Sequence, residues 1–305
     1  MPLESRALRY FVILAEELHF GRAAARLNIV QPALSAQIKT LETSLGTVLL
    51  HRSRRHVELT AAGERFLIEA RRAVTQLDHA EEVGRQVALG RAGVLNIGFV
   101  GSAPFAKCLP WVISRFRHTW PDVELSLQEQ NADDQMQHLH ERTLDVGFVR
   151  LPLPGSLEGL QLLKRVRESI MVAVPVTHPL ANAPQLRPSD LVNETFVAAM
   201  SHESAGWAAT LRQIGIDSGG TSPRIIQSSP HLATVVSLVN AGLGIALVPD
   251  SLHSLDFDNV RYIPLEGDRY SSDVAVLMRE EPSTPLIANF LTILDQFDTH
   301  STEGV

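Results

Sequence analysis

The chain has 305 residues, 45% hydrophobic and 20% charged, which excludes a disordered chain and is too long for one ordinary core. The formal charge of -7 argues on its own against a nucleic-acid binder, yet it hides an asymmetry: residues 1–94 hold 13 Lys+Arg and 10 Asp+Glu, whereas residues 95–305 hold 14 and 24. A chain basic at one end and acidic at the other points to two tasks. One cysteine, Cys108, leaves no intrachain disulfide and fits a reducing compartment. No apolar run approaches the roughly 18–20 residues of a membrane span. The apolar stretch at residues 10–15 runs into Glu16 and Glu17, so no secretory signal or membrane partner is expected and the protein is expected to be cytoplasmic.

Leu8, Phe11, Val12, Ala15 and Leu18 follow helical spacing and predict a first helix over 6–18. Phe20, Ala23, Ala24 and Leu27 predict a second, with Gly21 near its N-cap. After a turn at 28–30, Gln31-Pro32 opens a third helix, with proline in the first turn, where a missing N–H costs nothing. Leu34, Ile38, Leu41 and Leu45 form its buried stripe, and Gln31, Pro32, Ala33, Ser35, Gln37 and Lys39 lie away from that stripe. Three short helices with a tight turn before the third have the helix-turn-helix layout, whose last helix enters the DNA major groove. Extended segments at 48–51 and 56–59 flank Arg52-Ser53-Arg54-Arg55, a basic hairpin tip that reads as a wing gripping phosphates through Arg52, Arg54 and Arg55.

Several short motifs in order make this region resemble the LysR-type transcriptional regulators: residues 22–29 (RAAARLNI), 31–35 (QPALS), 41–46 (LE-x-x-LG) and Leu59-Thr60-x-x-Gly63. Val30 stands where that family usually has a capping Ser or Thr, and Ala36 where it often has an arginine that contacts DNA. Phe66, Ala70, Ala73, Leu77, Ala80, Gly84 and Val87 then recur every three or four residues, a coiled-coil seam of small residues over about three heptads. The family's linker helix, through which subunits dimerise, matches this segment, and Gly90-Arg91-Ala92-Gly93 ends it as a hinge-like joint.

Beyond residue 94, strands and helices alternate, as expected of α/β lobes with mainly parallel sheets. Ligands in such sheets bind outside the carboxyl ends of strands. Gly101-Ser102-Ala103 is expected to end the first strand and open a helix whose free N–H groups hold an anion. Arg150 ends another strand and offers a cationic fork for a carboxylate. Ser201-His202 follows a third strand, and Ser229 and His231 lead into a helix of a second lobe. The resemblance continues through Asp145-Val146-Gly147-Phe148, Pro175-x-x-His178-Pro179-Leu180 and residues 241–249 (AGLGIALVP), which look like the family's effector domain. It implies a multidomain fold: a winged helix-turn-helix at 1–59, a linker helix at 60–91, and a two-lobed α/β domain like the periplasmic binding proteins. Lobe I would comprise 92–165 and 270–300, lobe II 166–269, with crossings near 165–168 and 266–270. Residues 99–102 and 147–150 look most like the branch answering to aromatic carboxylates and muconate-type acids. There, Ser102 and a threonine hold the effector carboxylate, and Ala132 occupies the threonine position without a hydroxyl.

His51, His56, His118, His138 and His140 lack a convincing metal spacing, Cys108 has no evident base beside it, and no nucleophile elbow, P-loop or dinucleotide fingerprint occurs. No cofactor and no enzymatic activity are expected. Two readings remain: a regulator binding promoter DNA and a small organic-acid effector, or a solute-binding transport component without a DNA function. The basic N-terminal module favours the regulator. As such it would be a homodimer or homotetramer, with RNA polymerase a further partner. Valine is a poor N-cap, costing about 1 kcal/mol. Val30→Ser is therefore expected to raise the melting temperature of the DNA-binding domain, and an unchanged or lower value would show that the cap is not limiting.

Overall fold

A computed structural model describes residues 3–52, 57–153, 155–199, 207–217, 223–267, 270–280 and 284–297, and the chain divides into two compact units, residues 1–88 and 89–305. The first unit holds α1 (Ser5–Glu17), α2 (Phe20–Arg26), α3 (Gln31–Leu45), β1 (Leu50–Arg52), β2 (Val57–Leu59) and α4 (Ala61–Ala88). Phe11 and Leu14 of α1 and Leu34 and Ile38 of α3 are fully buried together, so the helical spacing read from the sequence is the core itself. Two local expectations change. His19, not Gly21, caps α2, its ring accepting the Arg22 N–H at 3.2 Å. The first hairpin strand begins at Leu50 and not at residue 48, and it runs on to Arg52, because Leu50 pairs with Leu59 and Arg52 with Val57.

Thr60 caps α4 by accepting the Gly63 N–H at 2.9 Å. Gly63 lets the helix meet the strand region closely: a Cβ there would lie 2.1 Å from the Leu49 carbonyl oxygen. The expected dimer seam is divided. Phe66, Ala70 and Ala73 pack into the core of their own unit, with the Phe66 ring 5.3 Å from Phe11. Arg9 of α1 pairs with Asp78 and Glu81 of α4. Leu77 is half-buried, whereas Ala80, Gly84 and Val87 are exposed.

The second unit runs through β3 (Gly93–Phe99), α5 (Cys108–Thr119), β4 (Val123–Glu129), α6 (Ala132–His140), β5 (Val146–Arg150), β6 (Leu160–Val166) and β7 (Ile170–Pro175). It continues through β8 (Thr195–Ala199), α7 (Trp207–Asp217), β9 (Arg224–Ser229), α8 (Leu232–Asn240), β10 (Ala246–Pro249), β11 (Val260–Pro264), β12 (Val274–Arg279) and α9 (Pro285–Gln296). Lobe I is a five-stranded sheet in the order β4-β3-β5-β12-β6; β3 pairs in parallel with β4 and β5, and β12 runs antiparallel to β5 and β6. Phe116, Phe148 and Phe290 are fully buried in its core, each worth roughly 1.5–3 kcal/mol relative to exposure.

Lobe II departs from the expected parallel pattern. Its sheet β10-β7-β11 is antiparallel throughout; β8 and β9 pair in parallel, and isolated parallel bridges join Leu186 to Leu265 and Phe196 to Ile245. The reason is connectivity. The chain enters on β7 and its neighbours arrive from later in the sequence, so strand direction is set by non-local partners. The second crossing also moves. Tyr270 belongs to the lobe II core and Val274 to lobe I, so the chain passes between them at 271–273. There Ser169 bridges Ser271, and the Ser272 N–H donates to the Glu168 carbonyl oxygen at 2.9 Å. No helix among the described residues is long and apolar enough to cross a membrane.

Candidate nucleic-acid interface and effector cleft

At the start of α3, Val30 occupies the N-cap with no side-chain hydrogen bond. Gln31, Pro32, Ala33 and Lys39 are exposed, and Ser35 and Gln37 are half-buried on the same helix. This outward, largely uncharged helix face is held rigid by Leu34, Ile38 and Leu41 beneath it. Arg54 and Arg55 lie outside the described residues. Arg52 is not part of a free tip. It sits in β1, pairs with Glu42 of α3 and lies 5.3 Å over the Phe20 ring. Glu42 also accepts the Leu49 and Leu50 N–H groups at 2.9 and 3.2 Å. This carboxylate, absent from the sequence-derived set, ties the hairpin to α3. Its position in the Leu41-Glu42 motif was the available signal.

In the second unit, residues 101–107 do not open a helix directly. They form turns in which Ala103, Phe105 and Ala106 donate to the carbonyls of Val100, Ser102 and Ala103, and α5 begins only at Cys108. Pro104 lacks the N–H that a continuous helix there would use. Ala103 is fully buried in the lobe I core. Ser102 is buried at the carboxyl end of β3 and accepts from Arg150 Nε at 2.6 Å. Arg150 is buried as well, and its fork is not open. Its Nη2 pairs with Glu168 at 2.7 Å, and its Nη1 donates to the Ser272 hydroxyl at 3.0 Å and to the Ser272 carbonyl oxygen. Burial lowers the guanidinium pKa and the Glu168 carboxylate opposes that shift. An arginine remains cationic under such a shift because its intrinsic pKa is so high.

Two contacts bring the predicted residues of lobe II to the same neighbourhood. Ser229, at the end of β9, accepts the His231 N–H at 3.2 Å, and His231 is the N-cap of α8. The His231 Nδ1 lies 3.2 Å from Glu129 Oε1 at the end of β4. That carboxylate reaches its position because residue 101 is glycine: a Cβ there would lie 2.4 Å from Oε1. Gly101, Ser102, Arg150, Ser229 and His231 therefore converge where β3, β4, β5 and β9 end. Ala132 instead packs against the small core around Met136 and Leu139, and Ser201 and His202 lie outside the described residues. Glu129, Glu168 and Ser272 are further members of this region. Their partners are 102, 18 and 122 residues away in the chain, so no local pattern marks them.

Cys108 is fully buried, and burial pushes its thiol up to about 12, so it is protonated and unreactive at neutral pH. Among the described residues no group of three or more His, Cys, Asp or Glu side chains could hold a metal ion.

Comparison with known proteins accounts for both halves. Residues 5–64 match the bacterial regulatory helix-turn-helix protein family of LysR type, and residues 88–298 match the LysR substrate binding domain. The chain is 40% identical to the uncharacterized HTH-type transcriptional regulator YnfL of Escherichia coli K12, over 95% of this chain and 97% of that one. It is 34% identical to the HTH-type transcriptional regulator AlsR of Bacillus subtilis, over 99% of each. Among solved structures, CbnR, a LysR family transcriptional regulator, matches with a TM-score of 0.81 at 28% identity, covering 96% of this chain and all of that one. The chain belongs to the LysR family: it is a DNA-binding transcriptional regulator with an effector-binding domain, and not an enzyme. Its N-terminal match leaves a transport component without a DNA function unsupported.

Removing one partner of a buried ion pair strands the other charge, at a cost of about 3–5 kcal/mol. Glu168→Ala is accordingly expected to destabilise the second unit by about 3 kcal/mol in urea unfolding of the full-length protein, and a loss under about 1 kcal/mol would show that Arg150 does not depend on it.

Proposed function

We propose that α3 lies in the major groove of a promoter half-site, with Gln31, Pro32, Ala33, Ser35, Gln37 and Lys39 nearest the bases and phosphates and Arg54 and Arg55 on the flanking phosphates. Two subunits joined through α4 read an inverted repeat, as a dimer or as a pair of dimers. The exposed Ala80, Gly84 and Val87 support this, because an apolar helix face left open by its own unit suits a second helix. The crystal structure of full-length CbnR with its target DNA, matching with a TM-score of 0.80 at 28% identity over 96% of this chain, supports the DNA role. The regulator acts in the cytoplasm, where its promoter is, and RNA polymerase is its further partner.

The effector in this reading is a small organic acid, aromatic or related, received between the lobes. The observation that carries it is the Ser102–Arg150 contact, with the Ser229–His231 turn brought beside it through the His231–Glu129 contact at Gly101. A hydroxyl that accepts from a guanidinium is polarised to donate its own proton more strongly, which suits a carboxylate. The arginine acts through Ser102 and from behind it, not as an open fork, because Glu168 and Ser272 already hold it. The effector domain of BenM with its effector benzoate matches at a TM-score of 0.58 and 27% identity over 67% of this chain, which supports an aromatic acid. Effector binding biases lobe closure, and linkage carries that bias to the DNA geometry of the paired subunits.

A thermal-shift screen of small organic acids on the full-length protein identifies the effector, since a true ligand stabilises by mass action. With that acid in hand, Ser102→Ala should weaken the effector response while leaving promoter affinity intact; loss of DNA binding by a folded variant would contradict the assignment. Arg54→Ala should weaken binding to all sequences alike and reduce the salt slope by about one. A change confined to one base position would remove Arg54 from the phosphate set.

A further inference from the structure

We propose that α3 recognises A·T base pairs by apolar contact with thymine methyl groups, made by Val30, Ala33 and Ala36; this rests on the placement of α3 in the major groove proposed above. Val30 is 69% exposed, more than any other large apolar side chain among the described residues. Its side chain makes no capping hydrogen bond and so serves neither the core nor the helix end. A residue that breaks both the burial rule and the capping rule, on the element that faces a ligand, marks a functional position. Ala33 and Ala36 are exposed on the same helix. Their helical positions lie within about 120° of Val30. The nearby Thr40 hydroxyl is turned back onto the Ala36 carbonyl oxygen at 3.1 Å, which leaves that part of the face without an outward hydroxyl.

The composition of the helix limits the alternatives. No residue from 27 to 38 is charged, so its first half has no arginine or lysine for guanine and no carboxylate for cytosine. The groups present are glutamine amides at Gln31 and Gln37, the half-buried Ser35 hydroxyl, which suits either base, and methyl groups. A glutamine pairs with the N6 and N7 edge of adenine, and a small apolar side chain packs on the thymine methyl. Both sets of groups select the same base pair.

The test begins with selection of binding sites from a random duplex pool by the full-length protein. Each selected thymine is then replaced by deoxyuridine, which removes one methyl and changes neither charge nor pairing. Burying one such group is worth about fourfold in affinity. Loss of about fourfold is expected at one or more thymines per half-site, with an unchanged salt slope. In Val30→Ser at least one of those penalties should vanish while the others persist, and hydrogen exchange of the α3 amides should show a folded, better-capped helix. If no sequence is enriched, the placement of α3 in the groove fails and takes this inference with it. If a consensus emerges but deoxyuridine is tolerated at every thymine, or the penalties are identical in Val30→Ser, thymine methyl reading is wrong while the groove placement stands.

Discussion

The second unit is organised around one buried cation. Arg150 ends β5 inside the protein, where a guanidinium is tolerated only among acceptors. Those acceptors come from distant parts of the chain: Ser102 after β3, Glu168 on the first crossing between lobes, and Ser272 on the second. The same charge thus fixes the end of lobe I, holds both crossings together and polarises the Ser102 hydroxyl. A second ion pair, Arg165 with the buried Asp273, reinforces the crossings. In the proposed reading, a ligand that drew on Ser102 would act on both crossings through Arg150 alone, which would couple a small acid to lobe geometry.

The first unit uses the same device at smaller scale. Glu42 gathers the N–H groups of Leu49 and Leu50 and the side chain of Arg52, so the hairpin is fastened to α3 from behind. Fixing the helix this way leaves its outer face free of structural duty. Val30 can then violate capping and burial without loss of the fold. In both units a carboxylate absent from the sequence-derived site holds residues of the candidate site in place.

What the sequence revealed follows from the range of the interactions. Leu34, Ile38 and Leu41 are buried as their spacing demands, and Thr60 caps α4, because these contacts are local. Direction and partner are not local. The heptad stripe on α4 marked an apolar face but could not say that Phe66, Ala70 and Ala73 would meet α1 of the same subunit. The strand character of β7 and β10 was legible, while their antiparallel pairing depends on elements more than 70 residues apart. Within the candidate site, Ser102, Arg150, Ser229 and His231 stand at or just after strand ends, where the sequence pointed to them. Glu168 did not, since only the folded chain sets it against Arg150.

The claim that one buried interaction joins site and hinge is tested most directly by a double-mutant cycle on Arg150→Met and Glu168→Leu, read by urea unfolding of the full-length protein. Contacting charges show coupling energies of about 0.5–3 kcal/mol. A coupling near the upper end of about 2–3 kcal/mol is the predicted result, with the double variant more stable than Glu168→Leu alone. Additivity within about 0.5 kcal/mol would contradict the account.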